Sequence, residues 1–561
     1  MIINGTKKTD FLVGTSLDDT IDGKSGDDTV VGDRFNNGIG FPDIILECNA
    51  GEGADFVPTP GADGLSHSSH NDTLIGGKGD DIVVGEAYVL AFGELQLNAL
   101  AGTGGFMGGP GGDNNSVDCY NDFFDPGEGN DIVVGDVYYT VGPADPELTA
   151  AAGSAGQGHF SFFPHGPGGD GGDGNVSNAF NDVMGDDTSN DDDDILVGDV
   201  FAQNTNGSDD HLNALAGAAG LDGGDGGDDN EVHAFNDLLS GGNGGDLIVG
   251  DDWRSSGTGD IVLDAFAGTG GDGVTGGIGG SNNTVEAFSD TLFGGDGSDF
   301  IVGDAYQTSH PTSEIEFHVL AGAPGFDGSA GGTGNVVTAF NDELFGNNGS
   351  DFLIGDASHT SATDGVEVTV SGTPGNVINA FQDVLDGGRG GDILVGDFAY
   401  STPPGSDPAV LSIIGSFTGQ DRLFADTLDG GRGDDQLIGG LGSDTMTGGA
   451  GADLFTYLGG DLFDLVGGVP KGAPPVDLIT DFKGKGTDVI DLRDLLDSLG
   501  FDASAGDDIN DWLTYTFVLG GDGTISIDQD GSASNYLPML TLAGFTTGGD
   551  IDTMVGVELI V

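Results

Sequence analysis

The chain has 561 residues, of which 94 are Asp or Glu, 13 are Lys or Arg and 110 are Gly, for a formal net charge of −81. So much glycine excludes a helical bundle, because each Gly costs a helix roughly 1 kcal/mol relative to Ala. One basic residue, Arg254, in residues 79–388 excludes the basic footprint that nucleic acid or an anionic membrane requires. A hydrophobic content of 36% with 33 Phe argues against plain disorder.

The first ten residues, Met1 to Asp10, contain no apolar stretch and no small-residue cleavage site, so no Sec signal peptide is expected. No apolar run long enough to span a bilayer occurs, so no transmembrane segment is expected either. From Gly5 a nine-residue beat begins, with Asp10, Asp19 and Asp28 each preceded by Gly five positions earlier. It returns at Asp63, Asp72 and Asp81, then at Asp113, Asp122 and Asp131. Asp173 and Asp182 follow, with a three-residue insertion before Asp194, and then Asp228, Asp237 and Asp246. Two sets soften their first position: Ser281, Asp290, Asp299 and Thr333, Asp342, Asp351. A short set has Asp383 and Asp392, and the longest unbroken run is Asp426, Asp435, Asp444 and Asp453.

The text around these acids is Gly-Gly-x-Gly-x-Asp. It is complete at Gly76-Gly77-Lys78-Gly79-Asp80-Asp81, at 108–113, 168–173 and 223–228, and at Gly241-Gly242-Asn243-Gly244-Gly245-Asp246. It is complete again at 294–299, 387–392, Gly430-Gly431-Arg432-Gly433-Asp434-Asp435, 439–444 from Gly439, and Gly448-Gly449-Ala450-Gly451-Ala452-Asp453. Glycines admit a tight turn with positive φ and leave carbonyl oxygens free to face inward. The Asp adds a carboxylate, and the next apolar residue starts a short strand. Two nonapeptides then make one coil. Aligned carboxylates on neighbouring coils repel unless a cation lies between them, and Ca²⁺ is the cation suited to carboxylate and carbonyl oxygens. Zinc is disfavoured: Cys48 and Cys119 are the only cysteines and the nine His are scattered. Bridging is expected between turns two nonapeptides apart, such as Asp63 with Asp81 or Asp435 with Asp453, with fewer ions than motifs.

A longer period is superposed, marked by Asn-Asp at Asn71, Asn121, Asn181, Asn236 and Asn341 and by the variants Ser289-Asp290 and Gln382-Asp383. Several follow Ala-Phe, as at Ala234-Phe235 and Ala287-Phe288. Between triplets lies Val-Gly-Asp, a polar turn and an alternating strand ending in Ala-Gly, as in Phe317-His318-Val319-Leu320-Ala321-Gly322. The long unit is close to three two-nonapeptide coils in length, with a projecting hairpin arm as the competing geometry.

The nonapeptides resemble the repeats-in-toxin family, whose repeats wind into a parallel β-roll with Ca²⁺ between turns. The resemblance implies an all-β fold: a parallel β-roll or β-solenoid with inserted strand-loop-strand segments and a small β-rich C-terminal domain. The implied organisation is nonapeptides over 1–50, a repeat array over 51–425, an uninterrupted roll over 426–453 and a secretion domain over 454–561. The metal ligands it implies are Asp10, Asp19, Asp28, Asp63, Asp81, Asp113, Asp131, Asp173, Asp228, Asp246, Asp299, Asp351, Asp392, Asp435, Asp444 and Asp453, with the glycines named in the complete turns. After Asp453, Asp477-Leu478-Ile479-Thr480-Asp481-Phe482, an amphipathic stretch at 492–499 and the end Val557-Glu558-Leu559-Ile560-Val561 look like the target domain of type I secretion substrates. That likeness implies the type I apparatus as a partner and an extracellular or cell-surface location. Residues 459–475 are an insertion without a counterpart.

No His-Glu-x-x-His or Gly-x-Ser-x-Gly motif occurs, and no catalytic residue is assigned. His67-Ser68-Ser69-His70 reads as an exposed polar loop before a metal pair, and Asp191 to Asp194 as a Ca²⁺-binding or solvated turn. Because the repeats start at Gly5, no room is expected for the catalytic or pore-forming domain that toxins of the family carry. A non-enzymatic, secreted structural, surface-layer, matrix or adhesive protein is expected, with self-association or cell-surface polysaccharide as further partners. The alternative is an extracellular polysaccharide lyase, epimerase or hydrolase on the solenoid face, which an exposed ladder of basic and aromatic residues would support.

Overall fold

The computed structural model describes the chain apart from residues 37–43, 51–59, 91–94, 105–109, 141–145, 156–169, 186–191, 204, 207–209, 220–223, 256, 259, 271–276, 311–313, 325–328, 362–365, 401–408, 416–421, 460–464, 467–468, 471–475, 484–486, 518–520, 529–530, 546–553 and 556–558. Gly108, Gly168 and Gly223, the insertion before Asp194, and most of 459–475 lie outside the described residues.

Five parallel sheets run along the molecule. In one coil, strands Leu238–Gly244, Leu247–Val249, Asp252–Arg254, Ile261–Ala267 and Thr284–Ala287 each join one of them, the first to the fifth in order. The next strand, Thr291–Gly297, pairs in register on Leu238–Gly244. The long unit is therefore one coil, not three short coils and not a projecting arm. Its inserted strands take their hydrogen bonds from the equivalent strands of neighbouring coils, as Ile261–Ala267 does from Asp210–Ala216 and Ile315–Ala321. Among the described residues, coils of two nonapeptides occur only towards the two ends, where Ile2–Asn4 pairs with Thr20–Asp22 and Thr427–Asp429 with Thr445–Thr447.

Each long coil has two lobes. The first and second sheets close a narrow core of one apolar residue per strand, including Leu74, Leu239, Ile248, Leu292 and Ile301. The third to fifth sheets enclose a wider core. In the fourth sheet, Leu95–Ala101 alternates strictly and buries Leu95, Leu97, Ala99 and Ala101, the period of two that a half-buried strand dictates. At the waist, Val-Gly-Asp leaves the narrow lobe and Phe-Asn-Asp returns to it.

The returning aromatics Tyr120, Phe180, Phe235, Phe288, Phe340, Phe381 and Phe424 have φ between 51° and 57°, a region that costs a non-glycine residue roughly 1–2 kcal/mol. They stack in one buried column with ring centroids 4.7 to 5.1 Å apart, and that packing offsets the strain. The last of them explains the column. Gly442, the fourth position of Gly439-Gly440-Leu441-Gly442-Ser443-Asp444, stacks directly on Phe424, so a Cβ there would collide with the Phe424 carbonyl oxygen. Asp426 donates its N–H to Asp444 Oδ1 at 3.0 Å, and Gly396 donates to the Ile438 carbonyl beside Gly439. The split corner and the glycine turn thus share one register, and the wide lobe is an excursion inserted into the middle of a glycine turn.

Beyond Asp453 the narrow lobe continues. Asp477–Ile479 and Val489–Asp491 extend the first and second sheets, and helix Arg493–Leu499 buries Leu495 and Leu496. Leu513–Phe517, Gly523–Ile527 and Leu537–Leu542 form an antiparallel set whose last strand pairs with Asp477–Ile479. Their apolar side chains belong to the narrow-lobe core. Cys48 and Cys119 are bonded, Cα atoms 6.5 Å apart, tying a fourth-sheet strand to a fifth-sheet strand. No described helix is long and apolar enough to cross a membrane.

Because Phe288 occupies a left-handed conformation, Phe288→Ala should be less stable than Phe288→Gly, with both below wild type. Glycine regains roughly 1 kcal/mol of backbone strain, whereas either change loses the stacked ring, worth about 3–5 kcal/mol. Urea unfolding midpoints in saturating Ca²⁺ check the order.

Candidate metal centres

Parallel, in-register stacking puts like on like, and the acids form ladders. Between the first and second sheets, the backbone N–H of each Asp donates to Oδ1 of the Asp one coil on. This runs from Asp10 through Asp28, Asp81, Asp131, Asp194, Asp246, Asp299, Asp351, Asp392, Asp435 and Asp453 to Asp488, at 2.6 to 3.5 Å. Asp194 keeps its rung despite the insertion before it. Oδ2 of Asp28, Asp81, Asp194, Asp299, Asp351, Asp392, Asp435 and Asp453 is buried and accepts no hydrogen bond. Each turn's glycines explain why. Gly77 and Gly79 have φ of 111° and 124°, and a Cβ at Gly76 would collide with the Pro126 carbonyl oxygen and sit 2.8 Å from Asp81 Oδ2. The turn is a cradle of carbonyl and carboxylate oxygens that no side chain can fill, which suits a hard cation taking oxygen ligands.

Burial lifts the carboxyls of Asp81, Asp351 and Asp435 to about 7 and those of Asp299, Asp392 and Asp453 to about 6, against the opposing pull of the backbone N–H each accepts. The acids resist ionising unless positive charge is supplied.

A second ladder stands at the return to the first sheet: Asp19, Asp72, Asp122, Asp182, Asp237, Asp290, Asp342, Asp383, Asp426, Asp444 and Asp477, linked in the same way at 2.5 to 3.0 Å. Facing it across the waist are the acids that follow Val-Gly, or Ile-Gly in the case of Asp356, which were not among the expected ligands: Asp33, Glu86, Asp136, Asp199, Asp251, Asp304, Asp356 and Asp397, all buried. Their recurrence after an aliphatic residue and Gly was the available signal.

Asp63, Asp113, Asp173 and Asp228 lie elsewhere. They form an exposed ladder before the fifth sheet, each accepting the N–H of its successor at 2.7 to 3.0 Å, and Ser281 and Thr333 continue it. Asp63 does not meet Asp81, whose ladder neighbours are Asp28 and Asp131, because two nonapeptides here separate corners of one long coil and not successive coils. Asp435 does meet Asp453, at 3.3 Å, in the short-coil stretch. His70 is not in an exposed loop: it is 4% exposed, pairs with Asp33 through Nδ1 and stacks on Tyr120 at 5.0 Å. Of the acids at 191–194, Asp191 lies outside the described residues, while Asp192 and Asp193 accept N–H groups of Gly129 and Gly245.

A family model for the RTX calcium-binding nonapeptide repeat matches in four copies, over residues 4–39, 68–87, 284–305, 331–359 and 423–455. Over those ranges the chain carries RTX calcium-binding nonapeptide repeats. These repeats bind multiple calcium ions and are typical of secreted, extracellular proteins; they are typically structural or toxin repeats and not catalytic. The matched residues hold narrow-lobe strands and waist corners, while the fourth-sheet strands lie outside every matched range. No curated protein matches the chain.

The raised carboxyls fix a pH dependence for the metal-free protein. Their folded pKa values exceed the unfolded value of about 3.9, so the folded state holds more protons, and stability falls as pH rises from about 4 through about 7. Metal-free protein should therefore show more strand by circular dichroism at pH 5 than at pH 8, and Ca²⁺ binding near pH 6.5 should release protons, measurable by calorimetry in two buffers.

Proposed function

We propose that this RTX chain is a secreted protein whose solenoid orders on Ca²⁺ outside the producing cell and serves as a structural, surface-layer, matrix or adhesive element. The observation that carries the reading is the unbroken ladder of buried carboxylates over glycine cradles along the narrow lobe. In it, Asp10, Asp28, Asp81, Asp131, Asp246, Asp299, Asp351, Asp392, Asp435 and Asp453 would hold the ions with the carbonyls of glycines such as Gly76, Gly77 and Gly79. Each ion would bridge successive coils and cancel the repulsion between stacked acids. Without it, glycine entropy and like charge both oppose order, which suits export as an unfolded chain. Extracellular modules bind Ca²⁺ at about 10⁻⁴ to 10⁻³ M, and binding confined to the folded state stabilises it by mass action.

The second reading, a polysaccharide-active enzyme on the solenoid face, draws no support from the third-sheet aromatic ladder. Tyr88, Tyr138, Phe201 and Trp253 stack on one another at 4.3 to 4.9 Å, and Tyr138 and Phe201 are only 4% and 1% exposed. Their ring faces are used up within the stack.

The test is a Ca²⁺ titration followed by circular dichroism. Strand signal should rise cooperatively, reverse with chelator and respond weakly to Mg²⁺, which demands octahedral geometry and sheds water reluctantly. Asp435→Ala and Asp453→Ala should shift the transition to higher Ca²⁺. Full strand signal in excess chelator at neutral pH would refute the reading.

Export is proposed to run through the type I apparatus by way of residues 454–561. A chain lacking them should stay in the producing cells, as assayed in culture supernatant; undiminished secretion would rule that out.

A further inference from the structure

The waist holds a row of buried acids apart from the ladder between the first and second sheets. We propose that it is a second, enclosed series of cation sites, in which Asp199, Asp237 and Asp251 together hold one divalent cation of the Ca²⁺ class between neighbouring coils. One ligand oxygen from each of the three lies within 4.8 Å of the others. The side chains come from two coils: Asp199 from one, Asp237 and Asp251 from the next.

Among the described residues, their surroundings supply no other counter-charge. Asp199 and Asp251 are 0% exposed and Asp237 is 2% exposed. Both carboxylate oxygens of Asp199 and of Asp251, and Oδ2 of Asp237, are buried without a hydrogen-bond donor. An unpaired carboxylate is strongly disfavoured away from water, so three together call for positive charge. Arg254, the one basic side chain in residues 79–388, is committed inside the wide lobe, with Nη2 2.6 Å from Asp210 Oδ2.

The two ends of the row differ from its middle. Asp33, at one end, pairs with His70 Nδ1, and Asp397, at the other, accepts the Leu441 N–H at 2.5 Å. Donors of the protein's own thus serve the terminal acids, while Asp136, Asp199, Asp251, Asp304 and Asp356 between them have none on either oxygen. The charge balance fits as well. Each long coil brings two acids to the waist, one from Val-Gly-Asp and one from Asn-Asp or its equivalent, and one divalent cation per coil neutralises them. The three carboxylates offer five hard oxygens that accept no hydrogen bond, and no nitrogen or sulfur, which selects against zinc. Enclosure without solvent selects against Mg²⁺, which keeps several of its waters.

The competing arrangement is a chain of shared protons, each pair of acids joined by a carboxyl-to-carboxylate hydrogen bond. The experiment uses the full chain, folded in Ca²⁺ at neutral pH, as wild type and as the double variant Asp199→Asn/Asp251→Asn. Equilibrium dialysis should show the double variant binding at least one Ca²⁺ fewer per chain with an unchanged strand signal. The wild-type-minus-variant infrared difference should carry carboxylate bands and no protonated-carboxyl C=O stretch. Equal Ca²⁺ content, or a protonated-carboxyl band, overturns the proposal. If the variant does not fold, a crystal structure of the Ca²⁺-loaded wild type decides. An ion among the three carboxylates upholds the sites. Ions in the glycine turns with direct carboxyl contacts at the waist overturn this inference alone, and no ion in either place overturns the reading of the glycine turns as well.

Discussion

Everything in this solenoid depends on in-register parallel stacking. A coil that pairs with its neighbour residue for residue sets every side chain above its own equivalent, about 4.8 Å away. For Phe, Val and Leu this is favourable, and it yields the aromatic column and the single-file core of the narrow lobe. For Asp it is not, because stacking places negative charge on negative charge away from water. The structure meets the difficulty first with backbone. Each ladder acid gives its N–H to the next acid's Oδ1, so one oxygen of each carboxylate is bonded within the protein. The second oxygen is left over, and it is the oxygen that the proposed calcium sites would use.

The wide lobe is an elaboration of the same corner. Opening a glycine turn in its middle preserves both of its ends: a Val-Gly exit, where Gly198 lies against Asp237 Oδ2, and a return whose Asp keeps its rung. What the opening loses is the glycine that took positive φ, and Phe235, Phe288 and their equivalents take its place under strain. Stacked aromatics offset that strain only because many coils are opened at the same point. A single opened coil would bury a strained ring with no partner above or below it. The wide lobe is therefore cooperative along the axis, and its fifth-sheet returns run without a break from coil to coil.

Much of this was legible in the sequence. The nine-residue beat and the Gly-Gly-x-Gly-x-Asp text identify the turns, the strands that follow them and the cation class, because glycine conformation and carboxylate chemistry are local properties. The coil length was not legible. Asp63, Asp72 and Asp81 keep nine-residue phase, yet they are three corners of one coil, and periodicity counts corners without saying when the path closes. Val-Gly-Asp opens the segment between triplets, but nothing local to Asp199 reveals that Asp237 and Asp251 come to face it. The strained backbone of Phe235 and Phe288 was not legible either, because positive φ in a bulky residue is decided by the stack and not by the residue.

The coils also differ in length, and where they differ shows what is held fixed. Along the return ladder, successive acids are separated in sequence by 53, 50, 60, 55, 53, 52, 41 and 43 before the spacing drops to 18. Over that range the N–H to Oδ1 distance stays between 2.5 and 3.0 Å. A more than threefold change in path length moves the corner by half an ångström. Loop closure grows costlier only slowly with length, so excursions can lengthen or shrink at little expense, whereas a one-residue slip at a corner would turn an acid out of its ladder and an apolar side chain out of the core. Selection for register therefore acts on the corners, and the excursions between them are where the length of this chain is free to vary.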